Sequence, residues 1–305
     1  MILGTRLEEL AGRASGELLL VAPYIKATSL ERVLKCLNLD TPVTVVTRWR
    51  VDEIVNGVSD LEVWPILLSR KYTRLFLHDS LHAKYYRADS QALIGSANLT
   101  QQGMGWSQRP NLEILQATDV TAALVDFERV LMSRAVRVDD RTYCRYLAVV
   151  TELRLQGVPP KHASSPTDLD GDFDGLVRSR TPENLFVAYS GGIELLTSAA
   201  QIDAFHDLRA LNVPSGLSQI AFREFIAARL QQSSLVISID DFLSVPRRFG
   251  EVRDHLGSHP LVAASDVGES DFWQTLMRWM LYFLPDAYLR SRPNHTEVFQ
   301  KRVLR

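Results

Sequence analysis

Residues 81–114, LHAKYYRADSQALIGSANLTQQGMGWSQRPNLEI, hold the side chains with the clearest capacity for chemistry. Residues two apart in a strand face the same way, so His82 and Lys84 would present an imidazole and an ammonium side by side. That pair suits a phosphodiester. An imidazole can attack phosphorus or protonate a leaving oxygen, while a lysine neutralises the non-bridging oxygens as a five-coordinate transition state forms. Gly95, Ser96 and Asn98 follow a short apolar run at 92–94. The glycine permits close backbone approach, and the hydroxyl and amide can hold phosphate oxygens. No cluster of metal ligands accompanies them in the sequence, so the reading calls for no metal or other cofactor.

Positioning such groups requires strands, and the first half of the chain is patterned for them. Residues 17–22 read as a buried strand. Residues 29–37 carry Leu30, Val33, Leu34 and Leu37 at helical spacing, with Thr28 and Glu31 spaced as a capping box. A β-branched run over 43–47 predicts a second strand, followed by a short helix over 51–55 and an apolar segment over 61–68. Further strands are expected at 73–77, 82–87, 92–94 and 112–116, then a long amphipathic helix over 120–134. This alternation predicts an α/β domain with a mixed sheet sandwiched by helices.

Between residues 157 and 175 the text turns to Pro, Ser, Asp and Gly without periodicity, which predicts a linker between a domain at 1–156 and another at 176–305. Asp170, Asp172, Asp174 and Gly175 mimic the start of a calcium loop. Its twelfth position is Thr181 instead of the required Glu, and its ninth is Arg178, so a solvated linker is the better reading. The second half predicts a smaller, mainly helical α+β domain. Strands are expected at 185–189 and 234–239, a turn at Gly191-Gly192 beside Tyr189, and a closing aromatic helix around Phe272, Trp273, Trp279 and Phe283.

The spacing His82-x-Lys84-x4-Asp89, followed by Gly95-Ser96-x-Asn98, resembles the signature of the phospholipase D superfamily. The VAPYI segment, the VTVVTRWR segment and the pair Asn111 and Glu113 extend that resemblance over roughly residues 15–135. It implies catalytic roles for His82, Lys84 and Asn98, with Gly95 and Ser96 in support. Asp89 would be structural, although a plain turn aspartate fits equally. Glu113 is placed like a glutamate that supports the nucleophilic histidine. A carboxylate between Leu112 and Ile114 in an apolar strand needs a partner, unless it faces outward.

Family members assemble two such motifs into one site, with one histidine forming a phosphohistidine and the other protonating the leaving oxygen. This chain carries one motif, so the resemblance implies a homodimer that pairs two copies of His82 and Lys84; a degenerate second half is the alternative. The single-motif layout resembles nucleases that act on DNA without metal, which implies an endonuclease in a defence or DNA-processing system. A non-catalytic nucleic-acid-binding or assembly subunit, or a phospholipase or phosphatidyl-transferase, are the competing readings. Arg48, Arg50, Arg70, Lys71, Arg74, Arg87 and Arg109 are candidates to contact a DNA backbone, or are scattered solvated charges. The second domain would bind DNA or a protein partner.

Composition limits the field. The chain has 305 residues, 46% hydrophobic and 23% charged, and a formal charge of -2, which excludes a disordered or collagenous chain and gives no support to bulk electrostatic coating of nucleic acid. The halves, divided after residue 150, carry +1 and -3, so neither is a basic module. The two cysteines, Cys36 and Cys144, lack the spacing of a disulfide framework or zinc site and read as buried small hydrophobes in a reducing cytoplasm. The N-terminus has no secretory pattern, and the apolar stretch 272–289 is broken by Arg278, Pro285 and Asp286, so no membrane partner is expected.

Overall fold

The computed structural model describes residues 2–157, 173–293 and 296–302, and divides into two compact units at 1–165 and 166–305. In chain order the first unit contains α1 (Leu3–Gly12), β1 (Leu18–Val21), α2 (Ala27–Leu34), β2 (Val43–Thr47), α3 (Val51–Val55), α4 (Val63–Leu68) and β3 (Thr73–Leu77). It continues with β4 (Lys84–Ala88), β5 (Gln91–Gly95), β6 (Leu115–Asp119), α5 (Ala122–Ser133), β7 (Val136–Arg137) and α6 (Asp140–Leu155). The strands form one sheet in the order β6-β5-β4-β1-β2-β3-β7. β1, β2 and β3 are mutually parallel, and every other pairing is antiparallel. This is a mixed α/β sheet flanked by helices.

The central strands explain themselves. β1 (LLLV) and β2 (VTVVT) are buried at every position, as parallel strands covered on both faces must be. Outward from them the sheet becomes wetter, and the edge strand β6 buries only Leu115. One consequence governs the site. The C-terminal ends of β1, β2, β3 and β5 and the N-terminal ends of β4 and β6 lie along a single edge.

Several local expectations shift. The capping box of Thr28 and Glu31 does not start α2, whose N-cap is Lys26 without a side-chain bond. Asp60, distant in sequence, accepts from Ala27 N at 2.9 Å and pairs with Lys26. The strand expected at 112–116 starts three residues later, and Leu112 and Ile114 are exposed because the chain there has not yet entered the sheet. Cys36 and Cys144 are exposed rather than buried; Cys36 lies just past α2 and Cys144 within α6.

The second unit contains α7 (Asn184–Tyr189), a 3-10 turn (Ile193–Leu195), α8 (Ser198–Leu211), α9 (Gln219–Gln232), α10 (Ser234–Phe242) and β8 (Arg247–Arg248). It ends with α11 (Phe249–Gly257), α12 (Pro260–Ala263), α13 (Glu269–Phe283), β9 (Tyr288–Ser291) and β10 (Val298–Lys301). Both strands expected at 185–189 and 234–239 are helices. In α7, Phe186 and Tyr189 sit three apart and pack their rings on Phe222, which rewards helical spacing. In α10, Ser233 caps Val236 N, and Leu235, Val236 and Ile239 share the buried face, so tertiary packing overrides β-branched propensity. Gly191 adopts a positive φ of 93°, as expected for the turn.

Of the calcium-loop mimic, Asp170 and Asp172 lie outside the described residues. Asp174 accepts from Leu176 N at 3.0 Å, and Arg178 N is bound to Asp207, so the described part is a turn and a buried carboxylate anchor. Among the described residues, no helix is long and apolar enough to cross a membrane.

Candidate active site

Lys84 opens β4, and His82, expected to begin the strand at 82–87, lies two residues before it and outside the sheet. Lys84 pairs in register with Gly95 of β5, and Gly95 with Leu115 of β6, so the two halves of the motif meet across neighbouring strands. The side chain of His82 is exposed, whereas Lys84 is only 8% exposed. Lys84 Nζ donates to the carbonyl of His82 at 2.7 Å.

Gly95 is required by a close approach, though not by that of a phosphate. A Cβ there would stand 1.8 Å from the carbonyl oxygen of Ile114. The backbone entering β6 therefore passes directly over Gly95 and brings Glu113 to the site edge. Ser96 also serves this segment. Its hydroxyl donates to Glu113 and accepts from Ile114 N at 3.1 Å, so the phosphate-holding role read from its type is taken up by the loop. Asn111 Nδ2 donates to the other oxygen of Glu113 at 3.1 Å. Glu113 is thus held by Ser96 and Asn111 in a loop, not buried in a strand against an imidazole. Asn98 Oδ1 accepts from Tyr24 N at 3.4 Å, fixing its amide beside the turn after β1.

Two supports were not singled out from the sequence. Tyr86, on the same face of β4 as Lys84, is fully buried and donates to the carbonyl of Ala97 at 2.7 Å, which clamps the turn carrying Ser96 and Asn98. Its place two residues beyond Lys84 was the available signal. Glu53 was missed although it lies only five residues after Arg48, in the short helix expected over 51–55. Arg48 and Glu53 form a buried ion pair, Arg48 Nη2 donates to Tyr24 Oη at 3.0 Å, and Tyr24 Oη donates to Glu53 at 3.1 Å. Arg48 Nη1 also reaches the carbonyl of Leu81 at 3.3 Å, next to His82.

The electrostatics follow from this packing. The nearby ammonium of Lys84, then partial burial and Arg48, hold the imidazole of His82 below its ordinary value. Burial, followed by repulsion from Arg48, lowers Lys84, while Glu113 opposes the shift. Among the described residues, no carboxylate forms a salt bridge with Lys84. The edge therefore keeps a buried ammonium and a neutral-leaning imidazole without full charge compensation.

The remaining candidates separate clearly. Arg48 is a buried structural cation rather than a free backbone contact. Arg50, at the same edge, is paired with Asp79. Arg70 donates to the carbonyls of Leu34, Asn38 and Leu39; with exposed Lys71 it precedes β3 at the opposite end of the sheet. Arg74 and Arg87 also lie toward that end, both paired with Glu17, and Arg87 with Glu128. Asp89 accepts from Ser15 N, Gly16 N and Glu17 N at 2.8 to 2.9 Å. It tethers the entrance to β1, with its φ at 51°. Bonds led by the Ser15 N–H hold its pKa at about 2. Arg109 is exposed in the connection between β5 and β6. Of the seven basic candidates, four belong to the far end and two at the near end are paired.

No family model matches the chain, and no curated protein matches it. Among solved structures, it is similar to NucT from Helicobacter pylori at 14% identity, over 42% of this chain and 84% of that one, with a TM-score of 0.34. It is also similar to TrmBL2, an archaeal chromatin protein whose structure is described as showing a novel mode of DNA binding. That match has 12% identity over 45% of this chain and 50% of that one, with a TM-score of 0.31.

Proposed function

We propose that the chain is a phosphodiesterase that cleaves DNA through a phosphohistidine on His82, in a site completed by a second copy of the chain. The observation that carries this reading is the buried side chain of Lys84, without a salt-bridge partner among the described residues, whose Nζ is held on the backbone carbonyl of His82, a residue with an exposed imidazole. A desolvated cation left uncompensated costs stability, and an incoming phosphodiester supplies the missing negative charge.

In the first step a neutral imidazole nitrogen of His82 attacks phosphorus. The N–P bond forms as the bond to the leaving deoxyribose oxygen breaks, and that oxygen takes a proton from the imidazolium of the second copy. In the second step that imidazole, now neutral, accepts a proton from water. The water oxygen attacks phosphorus and the N–P bond breaks. One water is consumed, and both imidazoles return to their starting states. Lys84 from each copy and the amide of Asn98 would hold the non-bridging oxygens, with Glu113 limiting repulsion between the cations. The lowered pKa of His82 suits the attacking copy, and two facing imidazoles would titrate as a coupled pair sharing one proton.

The test is cleavage of plasmid and linear duplex DNA in excess chelator, with His82→Ala as the comparison and solution mass measured in parallel. The expected result is a dimer whose cleavage survives the chelator and falls about 10⁴-fold or more in the variant. Cleavage retained by His82→Ala, or carried out by a strict monomer, would overturn the reading. DNA bound without turnover would favour the non-catalytic subunit, and headgroup release from phospholipid vesicles would favour the lipid reading.

A further inference from the structure

The second half of the chain carries a formal charge of -3, yet its basic residues are unevenly spread. Six of its 16, Arg247, Arg248, Arg290, Arg292, Lys301 and Arg302, lie on or beside the small sheet β8-β10-β9. Three carboxylates answer them in ion pairs: Glu251 with Arg247, Glu297 with Arg290 and Arg292, and Asp240 with Lys301. Arg248 and Arg302 are exposed and in no ion pair among the described residues, and the Arg302 guanidinium donates to the carbonyl of Tyr288 at 3.3 Å. The sheet therefore concentrates positive charge within an acidic unit, which composition alone conceals.

The sheet has two unlike faces. On the inner one Phe299 is buried between Trp273 and Tyr288, with ring centroids 5.2 and 5.6 Å away. On the outer one the register places Arg248, Val298 and Ser291 in one row and Gln300 with Leu289 in the next. Val298, Ser291, Gln300 and Leu289 are half-buried rather than covered. Strand β8, helices α11 and α13, and the β9–β10 hairpin follow in the order of a winged helix module, with β8 pairing to the last strand. In that arrangement the long helix is the usual reader of the major groove. Here α13 buries eight of its 15 residues, and its first turn carries Glu269 and Asp271, the latter paired with Arg180, so that end offers phosphates no free positive charge of its own side chains.

We propose that the β8-β10-β9 sheet, and not helix α13, is a duplex DNA-binding surface that engages phosphates through Arg248, Arg292 and Arg302. A two-stranded antiparallel ribbon fits the major groove of B-form DNA, whereas the deep, narrow major groove of A-form RNA does not admit it. Half-buried Val298 and Leu289, in adjacent rows, give the hairpin a surface to lay against the groove wall, with Arg248 in the row of Val298. This surface is independent of the chemistry proposed for His82: it binds whether or not the chain cleaves.

The experiment measures binding of the full-length chain to a labelled 20-base-pair duplex over a salt series, in a His82→Ala background so that no cleavage interferes. The triple variant Arg248→Gln/Arg292→Gln/Arg302→Gln should lose about tenfold or more in affinity at 0.1 M salt. Its slope of log K against log salt should be shallower by about three. The charge-preserving triple lysine variant should keep most of the affinity, which separates lost charge from lost folding. A control that removes three exposed charges from the first unit, Arg13→Gln/Lys35→Gln/Arg129→Gln, should leave binding unchanged. Unchanged affinity in the glutamine triple, equal loss in the control, or loss produced by Gln274→Ala on the exposed face of α13 instead would overturn the proposal.

Discussion

The two ends of the seven-stranded sheet use the same residue types to opposite effect. At the far end, Glu17 accepts from Arg74 at 3.0 Å and from Arg87 at 2.8 Å, Glu128 takes the other side of Arg87, and Asp89 collects three backbone N–H groups. Each of these charges is answered. At the near end Arg48 and Arg50 are paired with Glu53 and Asp79, but Lys84 is buried without a salt bridge among the described residues, and Glu113, which offsets its charge, is occupied by Ser96 and Asn111. The difference teaches where to look for function in a sheet of this kind. A compensated cluster stabilises the fold, whereas a cluster left short of negative charge is prepared for an anionic ligand.

That contrast is most severely tested at Lys84. Replacing it with Met removes a buried cation and leaves a side chain of similar length. Phosphodiester cleavage should fall about 10³-fold or more, while the thermal midpoint stays level or rises. Because the charge of Lys84 is the leading cause of the depressed pKa of His82, the variant's imidazole should titrate at higher pH. A histidine proton resonance followed over a pH series would read this directly. A large fall in stability would show that Lys84 belongs with the compensated charges of the other end.

Arg48→Ala probes the structural cation at the near end. It leaves Glu53 buried without its partner and releases the carbonyl of Leu81, so denaturant unfolding should show a loss of about 3 kcal/mol. Burial already raises the Glu53 carboxyl, and the variant should push it further toward the protonated form. If stability is unchanged, Arg48 is free for ligand contact and the division between the two ends is less sharp than drawn.

The smallest effect is expected at Asp89. Its carboxylate is stabilised in the folded chain, with a pKa of about 2 against an ordinary value near 3.8. The stability it contributes is complete above about pH 4 and lost as pH falls through about 2. Asp89→Asn should flatten that part of the acid-denaturation profile while leaving cleavage at neutral pH unchanged. A variant with lowered activity at neutral pH would connect the far end to the site.

Much of the first unit was readable in the sequence because its signals are local. Continuous apolar runs marked β1 and β2, and alternation with helical segments marked the α/β arrangement. The second unit was harder. The runs at 185–189 and 234–239 have strand-like composition, but rings on Phe222, distant in sequence from Phe186 and Tyr189, favour a helix in the first, and the adjacent cap at Ser233 with burial of Leu235, Val236 and Ile239 favours one in the second. Asp60, the acceptor at the start of α2, lies 33 residues from Ala27 and displaced a cap that was plausible from spacing alone.

For the candidate site, the spacing of His82, Lys84, Gly95, Ser96 and Asn98 was enough to nominate residues and to propose a class of chemistry, because side-chain type and order are written along the chain. What each residue touches was not. The carbonyl of Ile114 over Gly95 and the hold of Ser96 on Glu113 depend on which strands become neighbours. The sorting of the basic candidates had the same origin. Arg48 and Arg74 both lie in charged, β-rich text, but parallel pairing of β2 with β3 sends the end of one and the start of the other to opposite edges. Composition and spacing determine which chemical groups the chain owns; strand order, burial and pairing decide which of their charges remain uncompensated, because those energies are set by neighbours in space.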